Sequence, residues 1–354
     1  MTVNEGSYGL RVNYSDQTNH DRVTSSEKEA AMGMVIDGNW VDDDAQYRTA
    51  SSGAFVRPQS VFTHRVTADG SSGFKAEPGR YHLFLAPNCP WAHRTQIFRR
   101  LKRLENVISI SLADLPRKRS WAYSKGIGRD LEPVDGVFEL HQAHISAVPN
   151  YTGRVTVPTL WDKKEWTIVN NESSQIIRML NSEFDEWGDA SVDLYPTPLR
   201  TEIDKINDRV YTTVNNGVYR CGFAKSQLAY EEAFQQLFDT LDYLEQLLGR
   251  QRYLCGERIT EADWRLYVTL VRFDAAYYGN FKCNRNHIYE YHNLSNYLRE
   301  LYQWSGIAEI TDIAGIKRGY YAIRDVNPTG IVPLGPGNLH LTGPHDRGHF
   351  GAAA

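Results

Sequence analysis

An α/β domain followed by an all-α domain is the fold class predicted by this sequence, and two observations predict it. Between residues 80 and 181 a strand–helix–strand unit can be read, followed by two short strands and a helix. Beyond residue 198 apolar residues recur at helical spacing almost throughout. A chain of 354 residues has room for about two ordinary domains. Its 41% hydrophobic and 12% aromatic content can fill their cores.

Residues 1–45 are rich in Ser, Asn, Asp and Glu with little apolar periodicity, and are expected to form an extended or partly disordered arm. Residues 46–182 form the first domain. The runs 80–86 (RYHLFLA) and 107–113 (VISISLA) read as buried strands. Between them, 90–104 carries apolar or small residues at 91, 92, 97, 98, 101 and 104, a helical spacing that opens on Pro90. A loop of some 40 residues follows, long enough to suggest a functional role. Two strands at 157–161 and 167–169 flank an Asp-Lys-Lys turn, and a helix is expected over 171–181. The order βαβ…ββα is that of a thioredoxin-like domain. A Gly/Asp/Pro-rich linker is placed at 183–198 and a helical domain at 199–324. That domain includes an amphipathic helix over 227–248 and a capping-box start at Thr260-Glu261-Ala262-Asp263 whose helix runs through Tyr278. Residues 325–354, rich in Pro and Gly, are expected to be an irregular tail.

A net charge of −4 with no long basic run argues against nucleic acid as a partner. No stretch approaches the roughly 18 apolar residues that span a bilayer, and the N-terminal residues are polar, so no membrane association and a cytoplasmic location are expected. The four cysteines, at 89, 221, 255 and 283, form no CxxC pair and no short-spaced Cys/His set. Neither a disulfide framework nor a metal site is expected.

Cys89 stands between a strand end and a helix opened by Pro90. At that N-cap, unpaired backbone N–H groups and the helix dipole favour an anion, which lowers a thiol pKa. His93 and Arg94, one turn on, are candidates for added positive potential. Cys221, Cys255 and Cys283 read as buried structural cysteines. Ala92 occupies the position where a dithiol oxidoreductase carries its resolving cysteine, so a mixed disulfide on Cys89 must be resolved by an outside thiol. Val157-Pro158, at a strand start, suits a cis-proline turn that leaves the Val157 N–H and C=O free for an extended peptide. Asn171-Glu172-Ser173-Ser174 opens a helix whose amides can hold a carboxylate, although simple capping explains the same residues.

From about Gly33 to Pro336 the chain resembles the Xi-class glutathione transferases, the glutathionyl-hydroquinone reductases. The motifs that carry this are NCPWAHR at 88–94, GRVTVPTLWDKK at 153–164, TIVNNESSQIIRMLN at 167–181 and VNNGVYRCGF at 214–223. ITEADWRLYVTLVRFD at 259–274 and NPTGIVPLGP at 327–336 extend the resemblance. It implies a glutathione-transferase helical domain after the thioredoxin-like one, with Cys89 as nucleophile. Glutathione, the co-substrate, would lie against Trp121, Arg154, Val157, Pro158, Glu172 and Ser173. Tyr219, Tyr277 and Tyr320 match tyrosines that surround the aromatic substrate. A homodimer is implied too.

The implied reaction is attack of the Cys89 thiolate on the glutathione sulfur of a glutathionyl-hydroquinone, expelling the ring with a proton from a tyrosine. A second glutathione then releases glutathione disulfide. Two alternatives remain: an omega-like thioltransferase or dehydroascorbate reductase, and a non-catalytic transferase-fold binder of aromatic ligands.

Overall fold

The computed structural model describes residues 33–42, 48–117, 119–124 and 139–351. Strand β1 (Met34–Ile36) turns into β2 (Asn39–Val41), and a small parallel pair follows, β3 (Val66–Thr67) with β4 (Phe74–Lys75). The central sheet is built from β5 (Tyr81–Leu85) and β6 (Ser109–Leu112), with β7 (Gly153–Arg154) set apart from it, then β8 (Thr159–Asp162) and β9 (Thr167–Asn170). Its strand order is β6-β5-β8-β9. β5 runs parallel to β6, with Leu83 opposite Ile110, and antiparallel to β8, with Leu83 opposite Leu160. Every residue of β5 and β8 is buried, the expected pattern for strands covered on both faces. Helices α1 (Pro90–Leu101), α2 (Leu140–Ala147) and α3 (Ser173–Ser182) complete the thioredoxin-like domain.

Residues 183–198 contain no helix or strand apart from a short 3-10 turn beginning at Thr197. The second domain is helical: α4 (Arg200–Val210), α5 (Gly217–Gly222), α6 (Gln227–Leu248), α7 (Glu261–Arg272), α8 (Tyr278–Asn280), α9 (His292–Tyr302) and α10 (Ile313–Tyr321). The chain belongs architecturally to the expected α/β plus all-α class. A buried carboxylate joins the halves. Glu261 on α7 receives Arg178 of α3 at 2.8 Å and Asn207 of α4 at 2.8 Å.

Three expectations need correction. The arm 1–45 is not wholly extended chain: Met34–Val41 form a hairpin whose β1 pairs antiparallel with β7, Met34 opposite Arg154. Residues 1–32, which carry the rest of that expectation, lie outside the described residues. The long loop after β6 contains α2, whose start is closed by reciprocal bonds between Glu139 and Gln142. Its short, weakly amphipathic sequence hides it from periodicity. The helix expected to run through Tyr278 is interrupted after Arg272 by a π-helical turn, Phe273–Tyr277, which rotates the following side chains. A second π turn, Tyr211–Asn215, precedes α5. The tail is irregular but anchored. Arg347 is fully buried and donates to the carbonyls of Leu248, Gln251 and Arg252.

No helix among the described residues is long and apolar enough to cross a membrane. Also among them, no group of three or more His, Cys, Asp or Glu side chains is placed to hold a metal ion.

Candidate active site

A cavity of about 540 Å³ opens between the two domains, and Cys89 lies on its wall. Cys89 is the N-cap of α1, with extended backbone (φ −77°, ψ 121°), and Pro90 follows as the first helical residue. The half-buried thiol donates to the Val157 carbonyl at 3.3 Å. Val157-Pro158 is a cis peptide. The carbonyl expected to be free for a ligand is therefore occupied by the thiol in this structure.

Trp121, Arg154, Val157, Pro158, Glu172 and Ser173 all line the cavity on the thioredoxin-like side. β1 backs Arg154 through its pairing with β7. Glu172 caps α3. Its carboxylate accepts from the Ser174 N–H at 3.1 Å and the Ser174 hydroxyl at 2.9 Å, and Ser60 reaches its other oxygen at 3.2 Å. A carboxylate of the protein thus already occupies this helix start. The Trp121 indole N–H and the Asn171 side-chain oxygen are buried without a hydrogen-bond partner among the described residues.

Tyr219 on α5 and Tyr320 on α10 line the opposite wall. Their hydroxyls are 2.6 Å apart, and the Tyr277 hydroxyl meets that of Tyr320 at 2.7 Å. Tyr277 itself is fully buried behind them and is not part of the cavity wall. Of the three tyrosines expected around the ring, Tyr219 and Tyr320 line the cavity, and Tyr277 stands behind them in contact with Tyr320. The π turn ending at Tyr277 creates this placement. Burial holds all three phenols above their ordinary pKa, so each carries its proton at neutral pH. Chained phenols of this kind can pass hydrogen-bond polarisation to an atom at the cavity surface.

The thiol's electrostatics differ from the sequence expectation. Burial pushes the Cys89 thiol up. The Ala92 amide, Arg272, the Trp91 amide and Arg57 pull it down without reversing the sign. The bond to Val157 acts in the same direction as burial, because only a protonated sulfur can donate it. His93 adds no charge, since burial depresses its pKa well below the ordinary value and leaves a neutral imidazole. Arg94, brought down to about 9 by burial, is spent elsewhere: it donates to Asn215 at 2.7 Å and Ser173 at 3.4 Å. In the ligand-free protein, alkylation of Cys89 by iodoacetamide is expected to accelerate with pH to a midpoint above 9.0, the ordinary thiol value. A rate already at plateau at pH 7 would contradict this.

The helical domain approaches Cys89 closely. A Cβ on Gly319 of α10 would lie 2.5 Å from the Asn88 side chain, so only glycine lets α10 pack against the residue preceding the thiol.

Comparison with known proteins agrees with this arrangement. Residues 88–183 match the glutathione S-transferase N-terminal domain, and 227–299 the glutathione S-transferase C-terminal domain. Glutathionyl-hydroquinone reductase PcpF of Sphingobium chlorophenolicum is 51% identical over 308 residues, covering 86% of this chain and 96% of that protein. The Xi-class glutathione transferase of Natrialba magadii superposes with a TM-score of 0.82 at 44% identity, covering 90% of this chain and 97% of that one. This chain belongs to the Xi-class glutathione transferases. The glutathione-bound structure of YqjG, a glutathione transferase homologue from Escherichia coli K-12, is similarly related, with a TM-score of 0.81 at 44% identity and coverage of 89% and 99%.

Several residues of this Xi-class site were not singled out from sequence. Arg57 donates to Asn216 at 2.8 Å and lies over the rings of Tyr219 and Trp91 at 4.7 and 4.9 Å. Phe55 and Phe223 stack beside Tyr219. Arg57 sits in a segment without periodicity, and nothing in its neighbours marks it.

Proposed function

We propose that this chain is a glutathione-dependent reductase that removes glutathione from glutathionyl-hydroquinones through a Cys89 mixed disulfide. The observation that carries this reading is the position of Cys89. It stands between a peptide-binding wall, Val157-cis-Pro158 with Glu172, and an aromatic wall headed by Tyr219 and Tyr320, within one cavity. The relative PcpF, a glutathionyl-hydroquinone reductase, supports the same substrate class.

Glutathione would extend along Val157 and Pro158, its α-ammonium facing the Glu172 carboxylate and its carboxylates facing Arg154 and the Trp121 N–H. The Cys89 thiolate forms the S–S bond as the aryl C–S bond breaks, and the electron pair leaves with the ring carbon. That carbon takes a proton, and the Tyr219–Tyr320–Tyr277 chain is the donor within the cavity. A second glutathione thiolate attacks the mixed disulfide, giving glutathione disulfide and free Cys89. Ala92 leaves no neighbouring thiol to compete with it. No metal enters this scheme. All four cysteines are free, which suits a reducing, cytoplasmic setting, and the family resemblance supports a homodimer.

The test mixes the protein with a glutathionyl-hydroquinone and excess glutathione and follows the released hydroquinone. Turnover is expected in the wild type. Tyr320→Phe, which removes the central hydroxyl, is expected to lower kcat by about 10²-fold, the usual scale of one positioned proton donor, with little change in glutathione affinity. An inactive wild type would overturn the reading. Full activity in Tyr320→Phe would remove the tyrosine chain from the mechanism.

A further inference from the structure

Arg272 is fully buried at the C-terminal end of α7, in the seam between the domains. Its Nε donates to the Asn88 carbonyl at 3.0 Å, and its Nη2 to the Pro87 carbonyl at 3.3 Å. Its Nη1 reaches the Val268 carbonyl at 2.8 Å and His93 Nδ1 at 3.1 Å. Among the described residues, none of its hydrogen-bond partners is a carboxylate. Arg80 pairs with Asp162, Arg252 with Glu300 and Arg265 with Glu261, whereas Arg272, like Arg94, is buried with no carboxylate among its described hydrogen-bond partners. Removing a guanidinium from water without an anion beside it is costly, and here the fold places one immediately behind the backbone that carries Cys89.

The groups facing Arg272 are ones that can become anionic. From the start of α1 this is Cys89, beside the neutral His93, which does not become anionic. From α5 comes Tyr219, from α7 Tyr267, from the π turn Tyr277 and from α10 Tyr320, and the Arg272 charge favours the ionised form of Cys89 and of all four tyrosines. Arg57 acts on Cys89 and Tyr219 from the cavity side.

We propose that Arg272 is the resident counter-cation of the site, a positioning residue whose buried charge stabilises the Cys89 thiolate and then the tyrosine oxygens as negative charge passes from sulfur to the departing ring. The thiolate half of this statement stands on the geometry around Cys89 alone; the ring half rests on the proposed reaction. An interdomain staple would use the three hydrogen bonds to Pro87, Asn88 and His93, but a staple needs donors and not charge.

The experiment is iodoacetamide alkylation of Cys89 against pH in the full chain, for wild type, Arg272→Gln and Arg272→Lys, with a melting curve for each. Because no quinone is involved, its outcome is independent of the proposed substrate. The glutamine variant, which can still donate but carries no charge, is expected to raise the alkylation midpoint by about one pH unit, or tenfold in rate at a fixed pH below it. The lysine variant, which keeps the charge with a poorer fork, is expected to hold the wild-type midpoint even if it melts earlier. A glutamine variant that is folded and keeps the wild-type midpoint would overturn the proposal. Should that variant not fold, the lysine variant decides alone, and a midpoint raised by about a full unit in it would equally overturn the proposal.

Discussion

Replacing Cys89 by alanine is expected to lower hydroquinone release by about 10³-fold or more, the scale of losing a covalent nucleophile. Glutathione would still bind, because the cis Val157-Pro158 segment and Glu172 are untouched. No other cysteine is placed to substitute. Cys221, Cys255 and Cys283 are all buried. Burial pushes Cys255 up to about 12 and Cys283 well above its ordinary value. Mass spectrometry of the wild type with substrate and limiting glutathione should show one added glutathione on the peptide containing Cys89, and none in Cys89→Ala. Turnover persisting in Cys89→Ala would leave the substrate class intact and remove the mixed disulfide from the mechanism.

The second large effect concerns stability. Asp263 is fully buried at the start of α7 and accepts four hydrogen bonds. They come from the Leu254 N–H at 2.8 Å, the Thr260 N–H at 2.8 Å, the Thr260 hydroxyl at 3.0 Å and the Tyr297 hydroxyl at 2.9 Å. Asp263→Ala is expected to cost about 4 kcal/mol, combining a lost helix start with buried donors left unpaired. The check is a fall in the denaturant midpoint at unchanged slope; an unchanged midpoint would contradict the network's role. The same residue sets a pH trend. Burial pushes Asp263 up to about 6 from an ordinary 3.8, with the four donors offsetting only part of it. The folded state therefore holds this proton more tightly than the unfolded chain. Its contribution is complete below the ordinary carboxylate range and is lost as pH rises through about 6.

The sequence was most legible where periodicity and covalent geometry speak directly. The span of α6 matches its apolar stripe over Gln227–Leu248, and Pro90 marks the start of α1. The hairpin at Met34–Val41 is not legible because its strands are three residues each, too short for alternation to register. The thiol's pKa was misjudged because local sequence shows the helix start but not the domain that covers it. Likewise the two arginines acting on Cys89, at 57 and 272, lie far from it along the chain, whereas the adjacent His93 is neutral and Arg94 is engaged elsewhere. Tyr219, Tyr277 and Tyr320 share no spacing that could connect them; only folding brings their hydroxyls into one chain.

That last contact has a consequence for how the protein is made. Cys89 and the wall at residues 157–173 are synthesised before Tyr320, which follows Cys89 by 231 residues (320 − 89). On the proposed mechanism, a first domain that folded before the second would lack both the tyrosine acid for the departing ring and Arg272 behind its thiol. A half-made chain would lack the acid for the ring, while its uncovered thiol would be free of the burial that pushes Cys89 up in the finished protein.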